Sequence, residues 1–245
     1  MNKLIFEKIS FVNLKHNELN KLINKKGLFL FPSAPGIASI YDKKKYFDSL
    51  KKANFVFLDS SFFVILLKFY KNISVIRFSG FKFLQIFFNF LKKNKNTKVF
   101  LIDPSVNKSI NNINFISKLG IKKNKIKSFV SPFYKANNIK DLNLIKQINK
   151  FKPKVIIINI GGGIQEVLGS YLKKNITVNC KIICTGAAIS FFTKDQAPIN
   201  NFIDKFYLGW LVRFIFNPFS FSKRLIYALK LINIVKNSNC KIIQK

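Results

Sequence analysis

Short apolar runs recur along the chain, each followed by a longer stretch in which apolar positions return at helical spacing. The runs are Leu28 to Phe31, Phe55 to Leu58, Ser74 to Phe78, Val99 to Ile102, Val155 to Ile160 and Ile182 to Thr185. Val155 to Ile160 is β-branched and uncharged, as strands buried on both faces are. Helical patterns fall at Ser39 to Lys52, Ser61 to Tyr70, Phe83 to Lys93, Asn111 to Leu119 and Leu142 to Lys150. This alternation predicts an α/β protein with a mostly parallel sheet covered by helices.

In such sheets ligands sit outside the carboxyl ends of the strands, so the residues that follow each run carry the chemistry. Here they are Pro32-Ser33-Ala34-Pro35-Gly36, Asp59-Ser60-Ser61, Asp103-Pro104-Ser105, Gly161-Gly162-Gly163-Ile164-Gln165-Glu166 and Gly186-Ala187-Ala188. Asp59, Asp103 and Glu166 are three of only ten carboxylates. By position alone Asp59 and Asp103 equally suit helix N-caps, and Glu166 equally suits a first-turn charge favoured by the helix dipole.

The glycine run is the most informative of these turns. Glycine tolerates positive φ and lets a ligand approach the backbone, and a short helix from Glu166 to Lys174 would favour an anion such as a diphosphate at its N-terminus. The run lacks the spacing of either the dinucleotide fingerprint or the P-loop, so by itself it equally suits a plain connection.

Composition sets the limits. At 245 residues and 49% hydrophobic, the chain suits one α/β domain with a small appendage. The formal charge of +33 comes from lysines spread along the whole length, with abundant Asn, Ile and Phe. No basic helix-turn-helix, zinc-finger spacing or aromatic RNA-binding strand accompanies it, which argues against nucleic acid as the partner. Cys180, Cys184 and Cys240 follow no metal or disulfide spacing, and His16 is the only histidine. A histidine-based triad or metal site is therefore not expected. Residues 1 to 10 do not resemble a signal peptide, and the longest uncharged run, Gly27 to Tyr41, is broken by Pro32 and Pro35.

Taken in order, the motifs resemble those of the WecG/TagA/CpsF glycosyltransferases over roughly residues 27 to 228. Leu58-Asp59 matches the family's strand-end Asp-Gly, Arg77-x-x-Gly80 its Arg-x-x-Gly, and Gly161 with Gln165-Glu166 its Gly-x-x-Lys-Gln-Glu. Gly186-Ala187, Phe191 and Ala197-Pro198 match a later Gly-Ala, Phe and Arg-Ala-Pro stretch, and Trp210-x-x-Arg213 its Glu-Trp-x-x-Arg. The chain departs from the pattern at Ser60 for Gly, Lys82 for an acidic residue, Gly163-Ile164 for Pro-Lys, Gln196 for Arg and Gly209 for Glu.

The resemblance implies a Rossmann-like α/β fold with helices on both faces, divided into a glycosyltransferase domain over 1–205 and a C-terminal amphipathic helical appendage over 206–245. It implies an inverting transfer of an N-acetylhexosamine, or its uronic acid, from a UDP-sugar donor to a polyprenyl-diphosphate-linked acceptor, with no cofactor and no metal. Asp59 is then the candidate base for the acceptor hydroxyl, and Ser33 takes the place of a strand-end Thr or Asn near the acceptor. Gln165 and Glu166 are expected to bond the sugar or uridine, with Gly161, Gly162 and Gly186 giving backbone access. Arg77, Arg213 and Arg224 are the only arginines, and their planar forks suit bidentate diphosphate contacts.

From Tyr207 to Val235, aromatic and aliphatic residues alternate with Arg213, Lys223, Arg224 and Lys230. The pattern suits either an interfacial helix or a core-packed one. The resemblance favours the former and a protein peripheral to the cytoplasmic face of the plasma membrane. The departures support an alternative reading as a catalytically silent sugar-nucleotide or lipid-binding relative. A homo-oligomer is compatible with either.

Overall fold

The computed structural model describes residues 2–193, 215 and 218–243, with side chains in the last helix described from residue 226 onward. Among them nine strands form one sheet: β1 (Lys3–Phe6), β2 (Ile9–Val12), β3 (Gly27–Leu30), β4 (Phe55–Phe57), β5 (Val99–Asp103), β6 (Ile126–Val130), β7 (Val155–Ile158), β8 (Lys181–Cys184) and β9 (Cys240–Ile243). Their spatial order is β6-β5-β7-β8-β3-β4-β2-β1-β9. From β6 to β2 every neighbouring pair is parallel, while β1 runs antiparallel to both β2 and β9. The expected α/β architecture is thus present.

The main helices are α1 (Asn20–Ile23), α2 (Ala34–Ala38), α3 (Lys44–Lys52), α4 (Ser61–Lys71), α5 (Gly80–Lys93), α6 (Val106–Lys118), α7 (Leu142–Phe151), α8 (Gln165–Asn175) and α9 (Pro218–Asn237). They cover both faces because successive strand side chains point in opposite directions. Leu28 and Leu30 of β3 join one core with α3, α4, α7, α8 and α9 residues. Phe29 and the following Phe31 join the other, with Phe57, Phe78, Phe83 and Phe87. In that second core Phe31 stacks on Phe57 with ring centroids 4.5 Å apart.

Two expectations change, and one element is new. Ser74 to Phe78 pairs with no strand; the segment is instead held by Ile76 N–H donating to Asn13 Oδ1 (3.0 Å) and Phe78 N–H donating to the Leu58 carbonyl (2.9 Å). The first helical pattern does not begin at Ser39: α3 starts at Lys44, and the Pro-Gly segment before it coils into α2, with a proline in its first turn. The N-terminal residues form a hairpin, turned by Glu7 and Lys8 at φ 49° and 66°.

The C-terminal segment returns to the main body. Leu231 and Val235 of α9 are fully buried in the first core, and β9 adds to the sheet beside β1. The expected boundary at 205/206 lies outside the described residues. Among the described residues no helix is long and apolar enough to cross a membrane.

Candidate active site at the strand ends

The sheet ladder decides which strand-end residues meet. Leu30 pairs with Val56 and also with Cys184, which in turn pairs with Ile158. The turns that follow these strands, with Ser33, Asp59, Gly161 and Gly186, therefore emerge from neighbouring strands at the same end of the sheet. With the turn after β5, the carboxyl edge of the sheet carries all five of the predicted turns in one row.

Asp59 is gripped by the Arg77 to Gly80 segment. Arg77 Nε–H donates to the Asp59 carbonyl at 2.8 Å, and Gly80 N–H donates to Asp59 Oδ1 at 2.9 Å. The spacing of Arg77-x-x-Gly80 thus matches the two ends of one residue. Gly80 begins α5, whose N-cap Ser79 accepts from Lys82 N–H at 3.1 Å. A β-carbon at Gly80 would lie 3.3 Å from Thr185 Cβ and Cγ2, so the bare glycine lets the helix start seat against the end of β8.

Ser60 stands where the resemblance prefers glycine, and its hydroxyl caps α4 by accepting from Phe63 N–H at 3.2 Å. Ser33 is half-buried at the N-cap of α2, where its carbonyl accepts from Ile37 N–H at 2.9 Å.

The glycine turn is open. A β-carbon on Gly161, Gly162 or Gly163 would meet nothing within 4 Å. Gly161 and Gly162 are exposed, and their N–H groups donate to no protein acceptor among the described residues. They precede α8, so these donors and the helix dipole act on the same side.

Beneath the open turn, Gln165 and Glu166 form a brace and are 3% and 1% exposed. Glu166 Oε2 accepts from Gly163 N–H (2.7 Å), Glu166 Oε1 from Gln165 Nε2 (3.3 Å), and Gln165 Oε1 from Gly186 N–H (2.7 Å). One side-chain pair therefore joins the turn after β7 to the turn after β8, at two glycines with φ of 91° and 60°. Gly163 replaces a proline of the resembling pattern and supplies an N–H that proline lacks.

Burial pushes the Glu166 carboxyl up to about 7, against the opposing pull of hydrogen bonds from the backbone and Gln165 and of the Lys43 charge. Burial also raises the Tyr46 hydroxyl and the Cys184 thiol, with the Glu166 charge a further cause for each.

The next pair of strands is joined differently. Asp103 is fully buried, and its Oδ1 accepts from Asn112 Nδ2 and Asn159 Nδ2, both at 2.7 Å. The ladder puts Asn159 opposite Asp103, since Ile102 pairs with Ile158. The sequence does not mark Asn159, which sits inside an otherwise apolar run; its register with Asp103 is the signal that identifies it.

Arg213, Gln196, Ala197-Pro198, Gly209 and Trp210 lie outside the described residues, as does the side chain of Arg224, whose backbone belongs to α9.

The chain matches no curated protein. It does match the sequence model of the glycosyl transferase WecG/TagA/CpsF family over residues 5–239. With a match covering nearly the whole chain, from the first strand to the end of α9, the protein belongs to the WecG/TagA/CpsF family of glycosyltransferases.

Proposed function

We propose that the protein moves an N-acetylhexosamine, or its uronic acid, from a UDP-sugar to a polyprenyl-diphosphate-linked sugar, with inversion at the anomeric carbon. In this reading Asp59 takes the proton of the acceptor hydroxyl as that oxygen attacks the anomeric carbon. The bond to the UDP oxygen breaks on the opposite face, and the negative charge that develops there needs nearby donors. Gly161 and Gly162 N–H groups supply them on one side, and Arg77, Arg213 and Arg224 add positive charge.

The observation that carries the proposal is the pairing of a gripped carboxylate with an open glycine turn before a helix along one sheet edge. β4 and β7 are separated by β3 and β8, so their ends lie about 14 Å apart at the usual strand spacing. That span accommodates a hexose and a diphosphate laid end to end along the edge. Ser33, in the turn that follows the neighbouring β3, then faces the acceptor. Gln165 and Glu166 hold the two glycine loops in place for the bound donor.

The start of α9 follows the segment that carries Arg213, and the exposed Ile226, Leu229 and Lys230 give that helix an apolar and cationic outer face. This supports a peripheral position on the cytoplasmic face of the membrane, where the lipid-linked acceptor is found.

The test is UDP release from a panel of UDP-N-acetylhexosamines and their uronic acids, with a polyprenyl-diphosphate-linked GlcNAc as acceptor. Acceptor-dependent release with one donor establishes the transfer and names the sugar. UDP binding without release from any donor, across several lipid-linked acceptors, contradicts it.

A further inference from the structure

The Asp103 cluster has an unbalanced set of polar atoms. Asp103 Oδ2, Asn112 Oδ1 and Asn159 Oδ1 are all buried, and none has a hydrogen-bond partner. All three are acceptors if Asp103 is ionised, and beyond the two asparagine amides the Ser109 hydroxyl is the one further donor acting on the carboxyl, too few for three buried oxygens. Buried charge without a counter-charge is costly, as are buried acceptors left unpaired. The groups that act on the carboxyl are Asn159 at the end of β7 and Asn112 and Ser109 on α6, all uncharged.

One proton resolves most of this. Placed on Oδ2, it turns an acceptor into a donor, and each asparagine already bonded to Oδ1 through Nδ2 carries its own oxygen on the same planar amide. A carboxylic acid and an amide can then pair through two parallel hydrogen bonds, N–H to Oδ1 and O–H to the amide oxygen. Burial acts in the same direction by raising the carboxyl's affinity for its proton, and it outweighs the opposing pull of the hydrogen bonds from Asn159, Asn112 and Ser109.

We propose that Asp103 is held as a neutral acid, donating from Oδ2 to an asparagine oxygen, and that this acid–amide clasp positions the Ile160 to Gly163 turn for the donor diphosphate. Asp103 touches no reacting atom, so it is a positioning residue. It ends β5, and Asn159 immediately precedes the open turn, with Asn159 N–H also donating to the Ile102 carbonyl at 2.8 Å. The clasp fixes the turn from the β5 side, as Gln165 and Glu166 fix it from the β8 side. The positioning half rests on the assignment of that turn to the donor.

The test combines carbon-13 NMR of protein labelled at the aspartate carboxyl with calorimetric UDP binding, on wild type, Asp103→Asn and Asp103→Ala. The signal absent from Asp103→Asn belongs to Asp103 and is expected at the position of a protonated acid at neutral pH. Asparagine reproduces the pattern of the neutral acid, one acceptor oxygen and a donor beside it. Asp103→Asn is therefore expected to melt no lower than wild type and to bind UDP within about twofold of it, whereas Asp103→Ala loses about tenfold. Raising the pH through the ionisation of Asp103 weakens UDP binding by wild type and leaves Asp103→Asn unaffected.

An ionised Asp103 signal at neutral pH overturns the proposal, as does an asparagine protein that loses as much affinity as the alanine one. The isosteric variant keeps the test decisive if the alanine protein does not fold. If none of the three binds UDP, the positioning half falls with the donor assignment, and the carbon signal still decides the acid.

Discussion

Gly80 N–H donates to Asp59 Oδ1 at 2.9 Å while Arg77, three residues earlier, holds the Asp59 carbonyl at 2.8 Å through Nε. A single extended segment therefore fixes both the backbone and the carboxylate of the candidate base. Lysine cannot replace Arg77 here, because its flexible ammonium lacks the planar Nε–H that meets the carbonyl edge-on. Arg77→Lys is expected to lower kcat/KM for transfer about tenfold or more, the equivalent of one charge-assisted hydrogen bond. Steady-state kinetics checks this, and a lysine variant with wild-type kcat/KM contradicts it.

The glycines divide into those that leave space and those that fill it. Gly161→Ala is expected to melt like wild type, since its β-carbon meets nothing in the protein. Its UDP affinity is expected to fall, because the methyl would stand where the ligand approaches. Gly169→Ala behaves in the opposite way: its β-carbon would lie 2.8 Å from both Cys184 Sγ and Leu28 Cδ1. Overpacking of that kind costs about 1–3 kcal/mol. Thermal melts and UDP calorimetry on the two proteins separate the effects, and equal behaviour would remove the distinction.

Glu166 makes stability pH-dependent with a definite sign. Its carboxyl is raised from the ordinary 4.5 to about 7 in the folded protein. Below 4.5 both states hold the proton; as the pH rises toward 7 the unfolded chain releases it first, so stability falls across that window. The fall is on the order of 3 kcal/mol for a fully buried group. Urea denaturation of wild type and Glu166→Gln across the window is expected to show the difference between them shrinking or reversing as pH rises. A Glu166 contribution that grows with pH contradicts the burial assigned here.

Ser60 illustrates a departure from the family pattern with a local purpose. Its hydroxyl accepts from Phe63 N–H at the start of α4, next to Asp59. Ser60→Ala is expected to cost about 1 kcal/mol and Ser60→Gly a few tenths. Neither is expected to change the pH dependence of transfer, and denaturation melts with pH–rate profiles check both halves.

Much of this was legible in the sequence. The fully buried strands β5 and β7 announce themselves as short apolar runs, β-branched throughout in β7, and the residues after them fall at the carboxyl edge. The order of motifs from Asp59 to Trp210 identifies the family. The N-terminal hairpin did not show, because Glu7 and Lys8 take up positive φ without the Asn-Gly signal that marks such turns. Ser74 to Phe78 carries a strand's composition, yet its role is to lie along Leu58 and Asp59, where side chains and single backbone bonds outweigh propensity. The burial of Gln165 and Glu166 was also hidden. Polar residues at a turn read as exposed, and only the fold shows that Gln165 is satisfied by Gly186 N–H on the neighbouring loop and Glu166 by Gly163 N–H in its own turn.

The most direct test of the account is acceptor-dependent UDP release by wild type and Asp59→Asn, with UDP affinity measured on the same two proteins. Asparagine retains an oxygen for Gly80 N–H but cannot accept the acceptor's proton. The account predicts UDP binding within about threefold of wild type and a loss of transfer of about a hundredfold or more, the usual contribution of a positioned base. Transfer by Asp59→Asn at the wild-type rate would remove Asp59 from the chemistry and contradict the central claim.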